Sequence, residues 1–182
     1  MNDRLSLLME KVDLLLLEYG QLKSARLHFR ILHRFRAPGT ECAPGEEVAA
    51  IYLMNRGREY YVPLSLTLRL VFDCLAKHSR LPQGASQIAV CFHADPFYGQ
   101  HGSNIAGHGE LRRRVVKSAI RVYVQRIRQA LALSFREANL RVDPRNVLAS
   151  EETVMNEVGY RLRGTFQWLH TDHPGQKLRW IR

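Results

Sequence analysis

The sequence predicts an α+β fold in which an antiparallel sheet comes first, helices follow and a hairpin closes the domain. Three observations predict it. Apolar residues alternate at period two from Leu27, a turn sequence joins two further alternating runs, and an apolar stripe at helical spacing runs through residues 116–131. The chain has 182 residues, enough for one good core plus an appendage but not for two full domains.

Residues 3–22 read as an added N-terminal helix. Leu5, Leu8, Val12, Leu15, Tyr19 and Leu22 recur by threes and fours as a heptad seam, which Leu7, Leu14 and Leu16 widen. Such a helix packs either on its own domain or against a second copy. From Leu27 the pattern is that of a half-buried strand, with Leu27, Phe29, Ile31 and Phe35 on one side. Ala37–Glu47 carries Pro38, Gly39, Pro44 and Gly45 and reads as a loop. Val48–Met54 and Glu59–Val62 then flank Asn55, Arg56, Gly57 and Arg58, a hairpin turn.

Ser65 is placed to cap a helix running to His78, with Leu66, Leu68, Leu70, Val71 and Leu75 inward. Ser86 is placed to cap a shorter helix, Gln87–His93. The Gly- and His-rich stretch Ala94–Gly109 reads as an exposed loop, and a long basic helix follows from Glu110 to Asn139. Val158–Leu169 alternates through Tyr160, Leu162, Phe166 and Trp168 and reads as one strand after a turn near Met155–Glu157. The expected organisation is an N-terminal dimerisation helix (1–25), one domain (26–169, with the inserted loop 94–109) and a basic tail (170–182).

Charge narrows the function. The formal net charge is +10, and between Glu110 and Arg145 ten basic residues face three acidic ones. A field this local favours a polyanion, nucleic acid first. In the long helix Val116, Ile120, Val124, Ile127 and Leu131 form the apolar stripe, while Arg114, Lys117, Arg121, Gln125 and Arg128 form a polar, basic one. A helix anchored on one side and presenting Arg and Gln on the other suits a DNA groove, because Arg bridges a guanine edge and Gln an adenine. Pairing of residues 3–22 between two copies is then the preferred reading, since linked half-sites raise affinity.

Other classes find little support. Cys42, Cys74 and Cys91 are an odd set without CxxC spacing, which points to a reducing cytosol and no disulfide framework, with Cys74 as plain core. Charged residues interrupt the N-terminal apolar run, so neither a signal peptide nor a membrane span is expected, and the protein is expected in the cytoplasm. Cys91, His93, Asp95, His101 and His108 are metal-binding types, but their spacing matches no compact ligand motif. No nucleophile, phosphate-loop or paired-carboxylate motif occurs. The expectation is a protein that is not an enzyme, with no metal and no cofactor.

Sheet, helix, short helix, long basic helix and terminal hairpin is the order of a winged helix-turn-helix domain. Two motifs carry a closer resemblance. Ile120-Arg-Val-Tyr-Val-Gln-Arg-Ile-Arg-Gln-Ala-Leu131 resembles the recognition helix of OmpR/PhoB-type response-regulator effector domains, roughly V-D-V-H-I-x-R-L-R-x-K-L. Val154-Met-Asn-Glu-Val-Gly-Tyr-Arg-Leu162 is similar to their wing, V-R-G-V-G-Y-R-L, with one residue added in the turn. Leu64–His78 is similar to their first helix, and the resemblance spans roughly residues 27–169. Arg121, Tyr123 and Ala130 depart from the family's Asp, His and Lys, and Asn156 with Glu157 replaces the turn glycine. No receiver domain fits in the first 26 residues, so regulation without phosphorylation is expected.

The resemblance implies a sequence-specific regulator of transcription that binds double-stranded DNA. Arg114, Lys117, Arg121 and Gln125 would enter the major groove, with Tyr123 at a thymine methyl or a phosphate. Arg126 and Arg128 match the family's two arginines and are assigned to phosphates. Arg161 and Arg163 on the wing would reach the minor groove or backbone. Glu151, Glu152 and Glu157 would repel phosphate there. The resemblance implies that the 94–109 loop, with Phe92, Phe97 and Tyr98 in or beside it, meets RNA polymerase; contact with another regulator and a mobile insertion with no partner are the alternatives. The tail with Lys177 and Trp180 adds a phosphate contact or folds back. Two other readings stand beside this one: a protein–protein adaptor on the same fold that no longer reads DNA, and a sequence-neutral, chromatin-like binder.

Overall fold

The computed structural model describes residues 11–12, 27–35, 46–94, 109–171 and 179–180, with side chains for all of these except 35, 46–47, 91–94, 109–117, 171 and 179–180. Most of the N-terminal helix, the loop 37–45, the 95–108 stretch and most of the tail therefore lie outside the described residues. Lys11 and Val12 are helical and exposed.

The alternation seen in sequence builds a sheet. β1 (His28–Phe35) pairs antiparallel with β2 (Glu46–Asn55), and β2 pairs antiparallel with β3 (Arg58–Tyr61). Arg56 and Gly57 close the β2–β3 hairpin with φ of 49° and 76°, the left-handed pair that a two-residue turn requires. Phe29, Ile31, Ile51 and Leu53 turn inward and are fully buried. Helix α1 (Leu66–Lys77) covers this face, and Phe72 meets Phe29 edge-on at 5.4 Å between ring centroids. Ser65 sits at the N-cap as expected, but its side chain makes no capping bond. Leu66 and Leu70, expected inward, are half-buried, and Phe72, Cys74 and Ala76 fill the buried face with Leu68, Val71 and Leu75.

A second, three-stranded sheet has the order β4-β6-β5. β4 (Gln83–Gly84) leads straight into α2 (Ala85–Ala94), which starts two residues earlier than the sequence predicts. Its cap is not Ser86: Gly84 N–H donates to Gln87 Oε1 at 2.7 Å, half of a capping box. Helix α3 (Gly109–Glu137) buries Ile120, Val124, Ile127, Leu131 and Phe135. It ends in a Schellman turn, with Asn139 at φ 53° and Leu140 N–H donating to Phe135 O at 2.7 Å. Asn55 Nδ2 donates to Ala138 O at 2.9 Å, tying the β2–β3 hairpin to that end of the helix. A single turn, α4 (Pro144–Val147), capped by Asp143, feeds β5 (Leu148–Glu152), which pairs antiparallel with β6 (Val158–Leu162).

The expected single strand over 158–169 is two strands in two sheets. After β6 the chain turns at Arg163 and Gly164, and β7 (Thr165–Thr171) joins the first sheet parallel to β1. The large sheet is thus not purely antiparallel; its order is β3-β2-β1-β7-β8. β8 (Arg179–Trp180) comes from the segment read as a basic tail and pairs with β7. β6 and β7 share one alternating pattern, and the backbone at Gly164, at φ 144°, separates them. A Cβ there would lie 3.0 Å from Leu27 O and 3.2 Å from the Phe29 ring. Gly164→Ala is expected to cost about 1–3 kcal/mol in urea unfolding, because both the backbone angle and the space are wrong for a side chain.

Cys74 is buried as expected but is joined in a disulfide, against the expectation of free thiols; its partner lies outside the described side chains. Sequence spacing carries no information about which cysteines a fold brings within bonding distance.

Candidate nucleic-acid interface

The interface expected from the sequence lies on α3, and its geometry follows from helix periodicity. With Ile120, Val124, Ile127 and Leu131 buried, Arg121 and Gln125 fall on the exposed side, about 40° apart around the axis at about 100° per residue. Ser118, one turn before Arg121, is exposed on the same side. Arg114 and Lys117 lie on the α3 backbone in the preceding turns, but their side chains are outside those described.

The other candidates separate from this face. Tyr123 stands about 160° from Arg121 by the same periodicity, half-buried and packed against the core cluster. Its ring packs on the core, on the side of the helix away from Arg121. Arg126 is exposed but about 140° from Arg121.

Arg128, assigned to a phosphate from sequence, is turned inward. Its Nε and Nη2 both donate to Leu148 O, at 2.9 and 2.7 Å, and Nη2 also donates to Ser150 Oγ at 3.0 Å. Burial pushes this guanidinium below its ordinary value, and Tyr160 and Asp143 oppose the shift. The residue works as a clamp between α3 and β5. Arg128→Ala is expected to lower stability by about 1–3 kcal/mol by leaving the Leu148 carbonyl without its donors, as thermal unfolding would record.

The wing arginines are also engaged. Arg163 Nη2 meets Glu151 Oε1 at 2.7 Å. Arg161 Nη1 lies 3.7 Å from Glu151 Oε2, while its Nε donates to Ser79 O at 3.0 Å. Glu151 thus gathers both cations onto the hairpin, and Glu152 and Glu157 remain exposed. The cross-strand position of Glu151 was the sequence signal for this, but it becomes readable only once the β5–β6 register is known.

A second polar centre went unread in the sequence. Asp73 on α1 is buried, yet its Oδ1 accepts from Trp168 Nε1 at 2.8 Å and lies 3.3 Å from His33 Nε2, and its Oδ2 lies 2.7 Å from Lys77 Nζ. Burial pushes this carboxyl up, but the His33 hydrogen bond and the charges of His33 and Lys77 outweigh it and hold the value below 3.8. The cluster ties α1 to β1 and β7.

Comparison with known proteins returns nothing. No protein-family model, curated protein or solved structure matches this chain. Among the described residues, no group of three or more His, Cys, Asp or Glu is placed to hold a metal ion, and no helix is long and apolar enough to cross a membrane.

Leu5, Leu8, Leu15, Tyr19 and Leu22, expected from sequence to form a dimerisation seam, lie outside the described residues. The seam's member Val12 is 45% exposed.

Proposed function

We propose that this chain is a winged helix-turn-helix regulator of transcription that binds double-stranded DNA through α3. The observation that carries the reading is the exposed face of Arg121 and Gln125 directly beside the stripe that anchors the helix. The element order α1-β4-α2-α3-α4-β5-β6, with β6 between β4 and β5, supports it, because such domains pack a reading helix against a hairpin. Arg121 and Gln125 read base edges, with Arg114 and Lys117 in the turns before them and Arg126 toward the backbone. Two copies bind, joined through the N-terminal leucine seam, for which the exposure of Val12 leaves room.

A second reading, an adaptor that keeps the fold without reading DNA, is favoured by one observation. Arg128, Arg161 and Arg163 are all engaged with the protein's own groups, so the hairpin offers phosphate more acid than base.

Fluorescence anisotropy across a salt series separates the readings. A steep fall of affinity with salt, with tighter binding to DNA upstream of the chain's own gene than to random duplex, is the result expected of a regulator. Equal, steep curves on both DNAs mean charge-driven binding without specificity. No binding at low salt overturns the DNA reading and leaves the adaptor.

A further inference from the structure

The tip of the β5–β6 hairpin is apolar and bare. Val154 is 94% exposed, Met155 81% and Val158 67%. The tip is also well ordered by local bonds. Thr153 N–H donates to Glu157 O at 2.9 Å, Asn156 N–H donates to Thr153 O at 2.9 Å, and Glu157 N–H donates to Thr153 Oγ1 at 3.2 Å. Asn156, at φ 56°, takes the left-handed position that completes the turn. Apolar side chains on so constrained a turn lose little freedom when they are covered.

Charge says what kind of surface covers them. Residues 148–162 hold three glutamates and one arginine, and Glu152 and Glu157 flank the tip. An anionic polymer or an anionic bilayer surface is repelled by this arrangement; a cationic surface with apolar side chains is attracted. The chain carries such a surface itself. On α3, Val122 and Leu133 are each 49% exposed. They are three turns apart, about 16 Å, on one side of the helix. Arg126 and Gln129 stand between them, and Arg136 and Glu137 follow, all exposed, so two cations outnumber one acid along the stripe.

The hairpin cannot reach this stripe on its own α3. Arg128 binds β5 on one side of the helix, and Val122, Arg126 and Leu133 lie about 120–160° around the axis from it. We propose that the apolar, acid-flanked hairpin tip docks on the Val122–Arg126–Leu133 stripe of a second copy of this chain. The two surfaces differ, so the contact is heterologous and runs head to tail. The stripe is distinct from the Arg121–Gln125 face, so docking leaves both base-reading side chains uncovered and shares only Arg126 with the proposed DNA surface.

Sedimentation velocity on the full chain without DNA tests this, independently of whether the protein binds DNA. The average mass of the wild type is expected to rise with concentration beyond its smallest species. Val154→Ser with Met155→Ser should weaken that rise by about tenfold while leaving the smallest species and the thermal unfolding unchanged. Arg126→Glu with Arg136→Glu should weaken it in the same way, as should Glu152→Lys with Glu157→Lys. A mixture of the last two double variants should recover association, because the charges are then exchanged between copies. A wild-type mass independent of concentration overturns the proposal. So does a rise that the tip variant leaves intact, or charge variants that fail to rescue each other. A tip variant that lowers DNA affinity but not association also overturns it, and would place the tip against DNA instead.

Discussion

Arg121→Glu is expected to abolish detectable specific DNA binding while leaving the protein as stable as the wild type. Arg121 is exposed on α3, and neither a hydrogen bond nor an ion pair ties it to the rest of the described chain, so its loss removes no internal contact. In a groove it would supply a bidentate contact to guanine worth about 1–3 kcal/mol. Reversing its charge adds repulsion from the phosphates on both sides of the groove. The combined fall in affinity is expected on the order of 10²–10³-fold at moderate salt. Gln125→Ala should do something different: a loss of about tenfold on the preferred site, little change on random duplex, and so a lower specificity ratio. Anisotropy titrations on both DNAs with both variants check this. An Arg121→Glu protein that binds both DNAs as the wild type does would remove α3 as the reading helix.

Asp73→Ala is expected to be the most damaging single substitution for stability, at about 3–5 kcal/mol. The carboxylate is buried and holds Trp168, His33 and Lys77 at once. Removing it leaves the Trp168 Nε1–H and His33 without their shared acceptor in an apolar surround, and the cost is chiefly that of groups left unsatisfied. Asp73→Asn keeps an oxygen for Trp168 and loses the charge, so it should cost less than the alanine variant. Urea unfolding at neutral pH compares the two.

The same residue sets an acid limit. Its carboxyl is held below 3.8 in the folded protein despite burial, because His33 and Lys77 favour the ionised form. A carboxyl lowered on folding contributes stability that is fully present above the unfolded chain's value and disappears as pH falls through the folded one. Unfolding free energy is therefore expected to drop below about pH 4, and Asp73→Asn should flatten this part of the profile. An unchanged acid slope in Asp73→Asn would mean that other carboxyls dominate.

Much of the architecture is readable in the sequence. Phe29 and Ile31 alternate because one face of β1 is buried, and Ile120, Val124, Ile127 and Leu131 recur at helical spacing because one side of α3 is. The Arg56–Gly57 turn was visible because few residues adopt its left-handed angles. The break inside 158–171 was not. Tyr160 and Leu162 alternate in step with Phe166 and Trp168, and a period of two is the same whichever sheet a strand joins. Of the site, the placement of Arg121 and Gln125 beside the apolar stripe was legible from spacing alone.

The use made of the other arginines was not legible. Arg128, Arg161 and Arg163 carry the same charge in sequence as Arg121, but the fold brings Leu148 O, Ser79 O and Glu151 within their reach. The sequence by itself determined the apolar faces of β1 and α3, the turn between β2 and β3 and where positive charge accumulates, because those follow from local periodicity and composition. Only the tertiary structure decided which cations stay outside, which strand enters which sheet and that Asp73 holds three elements together, because each of these depends on partners distant in the chain.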